Sequence, residues 1–332
     1  MSKDCGTTNR THGLPSTVYS LVVLLFALSA CATRPPELSA DATADLPRRV
    51  ELASIPFYPQ DAYQCGPAAL ATVLQSTGVD VSPDALTPEV FLPGRKGSLA
   101  VELVAATRAR DRLAYPIDPH PRALLEEIAA GRPVLVMQNL ALKMAPTWHF
   151  AVVVGYDLDA RTFILRSGTA ERLVMSERGF MRTWDLADRW GLVILEPGEL
   201  PANPDLHKYM TAAAELEATG RLDAAARAYS RAHEHWPASA WPALGIANVS
   251  HAKGDRTSAE EAYRTALALD PDNIVANNNL AELLFDRGCI DEARTHAKRA
   301  SENALGTPLE QATSATAAKI DEASETTASS CL

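Results

Sequence analysis

The sequence predicts an α+β domain followed by an all-α repeat array. Three observations carry this. Between residues 65 and 195, segments of helical spacing come first and short apolar strands follow. A Pro/Gly-rich stretch, "LEPGELPANPDL", breaks the chain near residues 196–206. Beyond it, Gly220, Gly254 and Gly288 recur every 34 residues, as do Ala225, Ala259 and Ala293, and Ala232, Ala266 and Ala300.

The composition fits two ordinary domains: 332 residues, 47% hydrophobic and 22% charged. The net charge of -10 argues against nucleic acid as a partner and gives no support for a broad basic membrane patch. Of the five cysteines, none forms a CxxC pair and none joins a histidine at zinc-finger spacing, so no metal, no cofactor and no disulfide framework is expected.

The N-terminus reads as an address. Lys3 and Arg10 precede the apolar run "VYSLVVLLFALSAC" at 18–31, too short for a comfortable membrane span. Its end, Leu28-Ser29-Ala30-Cys31, resembles the bacterial lipobox. That resemblance implies a signal peptide over 1–30, lipidation at Cys31 and a membrane held through acyl chains. Ala32 after the cysteine implies the outer membrane, facing the periplasm, of a bacterial cell envelope. The bland alternative is an ordinary signal peptide cut near "SACA". Residues 31–50 are Pro-, Ala- and Asp-rich and read as a tether.

The first domain is expected over 51–197. "VELASIPFYPQ" forms a short strand and loop, and "GPAALATVLQSTG" a helix that Pro67 suits at its first turn and Gly78 at its stop. Further helices are expected at about 98–110, 120–130 and 176–189, with strands at 133–139, 149–156, 162–167 and 191–196. Asp157-Leu158-Asp159-Ala160 makes a hairpin turn.

Cys65 falls near the N-cap of the first helix. It reads as packing, half of a disulfide, a metal ligand or a nucleophile. A helix N-terminus favours the thiolate. A nucleophilic cysteine needs a base, for which His149, at the start of a strand, is the candidate. Gln60 can donate to a developing oxyanion, with the Cys65 N–H as second donor.

The joint pattern "Q-x4-C-G-P-A-A-L", then about 80 residues, then "W-H-F-A-V-V-V-G-Y-D", resembles the papain-like bacteriocin-processing peptidases and their wider relatives. The resemblance implies a papain-like cysteine peptidase domain in which Cys65 is the nucleophile, His149 the base and Gln60 the oxyanion donor. Gln60 stands one residue nearer the cysteine than that family places it. The family's Asp-Pro after the histidine strand, whose Asp orients the imidazole, is missing. "ILRSGT" stands there, leaving Ser167 as an uncharged partner, Arg166 as a group unable to accept, Asp157 nearby in sequence, or no third group.

After a linker at 198–206, residues 207–305 resemble three tetratricopeptide repeats, with a capping helix and tail over 306–332. In that helix Thr307 is the expected N-cap. Such repeats imply a protein partner in a concave groove that Asn277, Asn278 and Asn279 line, or else three solvated positions. Cys289 reads as a turn residue. The functional expectation is an envelope-anchored peptidase acting on a peptide or protein substrate. Its alternative is an inactive peptidase-like scaffold.

Overall fold

The computed structural model describes residues 38–39, 41–59 and 64–324. Gln60, Cys31, the apolar N-terminal run and the last eight residues lie outside them. The chain divides between Ala44 and Asp45. The described part of the first unit is a 3-10 turn, Asp41–Thr43, where Thr43 Oγ1 donates to Ser39 O at 3.1 Å.

The second unit begins with strand β1 (Arg49–Glu51), followed by helices α1 (Cys65–Ser76), α2 (Pro83–Val90) and α3 (Ala100–Arg108). Strand β2 (Leu113–Pro116) and helix α4 (Pro121–Ala129) follow, then β3 (Val134–Asn139), β4 (Trp148–Asp157), β5 (Thr162–Ser167) and β6 (Ala170–Ser176). Helix α5 (Glu177–Asp185) and strand β7 (Gly191–Leu195) complete this part. The strands form an antiparallel sheet in the order β2-β7-β3-β4-β5-β6, and β1 pairs with the late half of β4.

Helix α1 is not amphipathic. Nine consecutive residues, Gly66 to Leu74, are buried, because the helix lies between α2 and α3 on one side and Phe150, Val152 and Val154 of the sheet on the other. That central position requires small residues, which explains "GPAALAT".

Three elements were not expected from the sequence. Helix α2 starts where Ser82 Oγ accepts the Ala85 N–H, and it tolerates Pro88 inside. Strand β2 ends in a proline, and β6 carries mostly exposed side chains. Each lacks the periodic apolar signal that marks an element from sequence.

The chain then folds as helix pairs: α6 (Leu206–Ala218) with α7 (Leu222–His235), α8 (Ala240–Ala252) with α9 (Arg256–Leu269), and α10 (Ile274–Asp286) with α11 (Ile290–Asn303). The turns hold Gly220, Gly254 and Gly288 at φ of 76°, 81° and 81°, where a side chain would be strained. The repeated alanines are all fully buried between helices. Helix α12 (Glu310–Ser324) packs on α11, and Thr307 Oγ1 accepts the Leu309 N–H just before it.

The two parts meet firmly. The Asp205 N–H donates to Tyr115 Oη on β2 (3.1 Å), and the Ala202 N–H donates to Glu127 on α4 (2.8 Å). Ion pairs Lys208–Asp118 and Arg108–Glu215 join α6 to the loop after β2 and to α3.

One expectation is corrected here. Asn277 does not line a groove: it is fully buried, donates to Pro271 O and Asn273 O, and meets His296 Nδ1 at 2.9 Å. Cys289 follows Gly288 in the turn before α11, as expected, and its side chain is buried.

Candidate active site

The first turn of α1 and the first residues of β4 line one cavity of about 810 Å³, whose wall includes Cys65, Ser98, Trp148, His149, Phe150 and Gly168. Cys65 opens its helix, so its own N–H and that of Gly66 lack intrahelical acceptors; Pro67 has no N–H to offer. The backbone N–H groups of Phe150, Gly66 and Cys65 each favour the thiolate. Cys65 packs against the core cluster that includes Phe150, the residue next to His149. No hydrogen bond joins sulfur and imidazole among the described residues. In an apo site such bonds are commonly long until substrate arrives.

His149 Nε2 lies 2.8 Å from Ser167 Oγ, at the end of β5. Ser167 is buried and Arg166 points elsewhere, as strand alternation requires. The Arg166 guanidinium donates to the carbonyls of Ala53, Ile55 and Glu171, fixing the segment that leads towards Cys65. Asp157 sits eight residues along β4 from His149, roughly 26 Å at strand rise. Its carboxylate accepts the Asp159 and Ala160 N–H groups of the hairpin turn. It lies too far away to orient the imidazole, whereas Ser167 Oγ is within hydrogen-bond distance of it.

Burial dominates the electrostatics. It pushes the Cys65 thiol above its ordinary value, and the N–H groups of Phe150, Gly66 and Cys65 offset only part of this. Burial also pulls His149 below its ordinary value. A neutral thiol beside a neutral imidazole is thus favoured over a resting ion pair. Among the described residues, no group of three or more His, Cys, Asp or Glu side chains is placed to hold a metal ion.

Two residues here escaped sequence reasoning. Ser98 packs against the start of α1, and its buried hydroxyl has no partner among the described residues. A methyl group at Gly66 would come 2.5 Å from Ser98 Cβ, so the glycine is what lets the loop approach. Asn139, also buried, accepts the N–H groups of Ala141 and Thr147, both at 3.0 Å, closing the β3–β4 loop above the cavity. Neither contact leaves a local sequence signal.

The profile of the Peptidase_C39 like family matches residues 52–172, and that of the tetratricopeptide repeat matches residues 250–312. The chain carries a C39-like peptidase domain and tetratricopeptide repeats. The C39-like match spans both Cys65 and His149 with Ser167. Among solved structures, a C39-like peptidase from Bacillus anthracis is similar at 18% identity, covering 45% of this chain and 98% of that one, with a TM-score of 0.38. The type III secretion translocator chaperone SycD of Yersinia enterocolitica is similar at 19% identity, covering 36% of this chain and 86% of that one, with a TM-score of 0.34. PcrH, in complex with the chaperone binding region of PopD, is similar at 20% identity, over 36% of this chain and 89% of that one, with a TM-score of 0.33. No curated protein matches the sequence.

Proposed function

We propose that the C39-like domain is a cysteine peptidase using Cys65 and His149, and that the tetratricopeptide repeats recruit a protein partner or substrate. The supporting observation is that Cys65, at the start of α1, lines one cavity with His149, whose imidazole is bonded to Ser167.

For His149 to act as base its Nδ1 must be unprotonated, so Nε2–H donates to Ser167 Oγ. Nδ1 takes the Cys65 proton as the sulfur attacks a peptide carbonyl carbon, and the S–C bond forms. The oxyanion is held by the Cys65 N–H, and Gln60 is proposed as second donor. Collapse breaks the C–N bond, and imidazolium passes its proton to the leaving amine. Water, deprotonated by His149, then releases the acid and restores the thiol.

Placement in the bacterial envelope, through a lipid on Cys31, belongs to the same proposal. Among the described residues no helix is long and apolar enough to cross a membrane.

A second reading, an inactive scaffold, is favoured by the uncharged Ser167 and by the burial that holds the Cys65 proton on. Turnover of a peptide panel by the full chain, lost in Cys65→Ala and in His149→Ala, is the expected result. Equal cleavage by wild type and Cys65→Ala would refute the peptidase, as would no cleavage of any peptide by either.

A further inference from the structure

The cavity beside Cys65 has two unlike walls. One is the tight loop between α2 and α3. A bridge pairs Leu92 with Gly97, the Leu92 N–H donates to Gly97 O at 2.8 Å, and a 3-10 turn at Pro93–Arg95 lies between. This loop places Arg95 and Lys96 on the cavity wall, both exposed. Lys96 is held at φ 50°, a left-handed conformation that a lysine adopts at some cost while Gly97 beside it does not use it.

The other wall is the β3–β4 loop. It contributes Leu140, Pro146 and Trp148 to the cavity, with Leu140 48% and Trp148 51% exposed. Of the ten exposed large hydrophobic side chains among the described residues, four lie on this loop and the start of β4: Leu140, Leu142, Met144 and Trp148. The loop is a built element, since Asn139 ties its two ends and the Leu140 N–H donates to Thr147 O at 2.9 Å.

Charge separates the cavity from the rest of the molecule. The chain carries a net charge of -10, yet among the described residues lining the cavity no Asp or Glu appears. Arg95 has no carboxylate partner among the described residues, whereas most arginines of the domain do, Arg48, Arg110, Arg122, Arg161 and Arg172 among them. A cation in a recess, on a protein that otherwise repels anions, concentrates a carboxylate at that one place.

We propose that the cavity selects an acidic polypeptide substrate: a carboxylate side chain on one flank of the scissile bond meets Arg95, and an apolar side chain on the other flank packs on Trp148 and Leu140. This rests on the peptidase reading for where the scissile bond lies. A bidentate guanidinium–carboxylate pair fixes register as well as adding affinity.

The test uses the full chain carrying Cys65→Ala and fluorescent peptides of equal length. Each has one leucine, with Glu, Gln or Lys two to four positions away. Glu peptides are expected to bind on the order of tenfold more tightly than their Gln counterparts, the gap shrinking as salt rises. Arg95→Glu, an exposed change whose folding is checked by circular dichroism, is expected to reverse the order of Glu and Lys. Equal binding of all three peptides, a Glu preference kept by Arg95→Glu, or no binding at millimolar peptide each overturns the proposal. Wild-type turnover is read separately. Cleavage without charge preference defeats this inference alone, while charge-selective binding without cleavage defeats the peptidase reading alone.

Discussion

Ser167 Oγ lies 2.8 Å from His149 Nε2, so the imidazole is held by a neutral hydroxyl on the next strand. A hydroxyl fixes the ring but adds no charge to stabilise imidazolium. Ser167→Asp is expected to raise the His149 pKa, because a carboxylate in contact favours the charged ring. NMR titration of the ring protons reads this directly. Ser167→Ala is expected to cost about 1 kcal/mol of stability and to slow acyl transfer without abolishing it. A His149 titration that ignores Ser167→Asp would mean the two side chains do not touch in solution.

The pH dependence of Cys65 labelling follows from burial. The thiol is raised and the imidazole lowered, so neither favours an ion pair in the free protein. Iodoacetamide labelling is expected to rise through an inflection above the free-thiol value of about 8.5, with no fast plateau in mild acid. Rapid labelling near pH 6, lost on His149→Ala, would instead reveal a thiolate–imidazolium pair at rest.

Gly66 and Ser98 form a matched pair. Gly66→Ala drives a methyl group into the Ser98 side chain and is expected to cost about 1–3 kcal/mol. Adding Ser98→Gly removes the obstacle and should restore most of that loss in thermal unfolding. If the double variant is no more stable than Gly66→Ala alone, the strain lies elsewhere.

Arg166 is a buried cation satisfied entirely by carbonyl oxygens. Arg166→Met strips partners from Ala53, Ile55 and Glu171 at once and is expected to cost about 3 kcal/mol. Limited proteolysis should then cut within residues 52–59, the approach to Cys65. Arg166→Lys rescues only in part, since one ammonium cannot span three divergent carbonyls. Unchanged proteolysis in Arg166→Met would show that the segment is held by other contacts.

The sequence disclosed what repeats or clusters. Alanines every 34 residues mark helix contacts because close packing admits little else at those positions, and the turn glycines mark a left-handed backbone. Cys65 and His149 announced themselves through neighbours: a proline, a glycine and an apolar run. Contacts across the fold left no such trace. Ser98, Asn139 and Asn277 each earn their place through partners supplied by the folded chain. Strand β6 was hidden because it turns charged residues outward, and α2 because of Pro88.

Strand β2 ends the sheet, and an uncovered border strand invites other chains to zip onto it. Here the first repeat helix rests on that border, with Lys208 reaching the Pro116 carbonyl and Asp205 tied to Tyr115. The first repeat helix therefore covers this border of the C39-like domain's sheet. Severing the chain near residue 200 would strip that shield and leave the front half prone to clump.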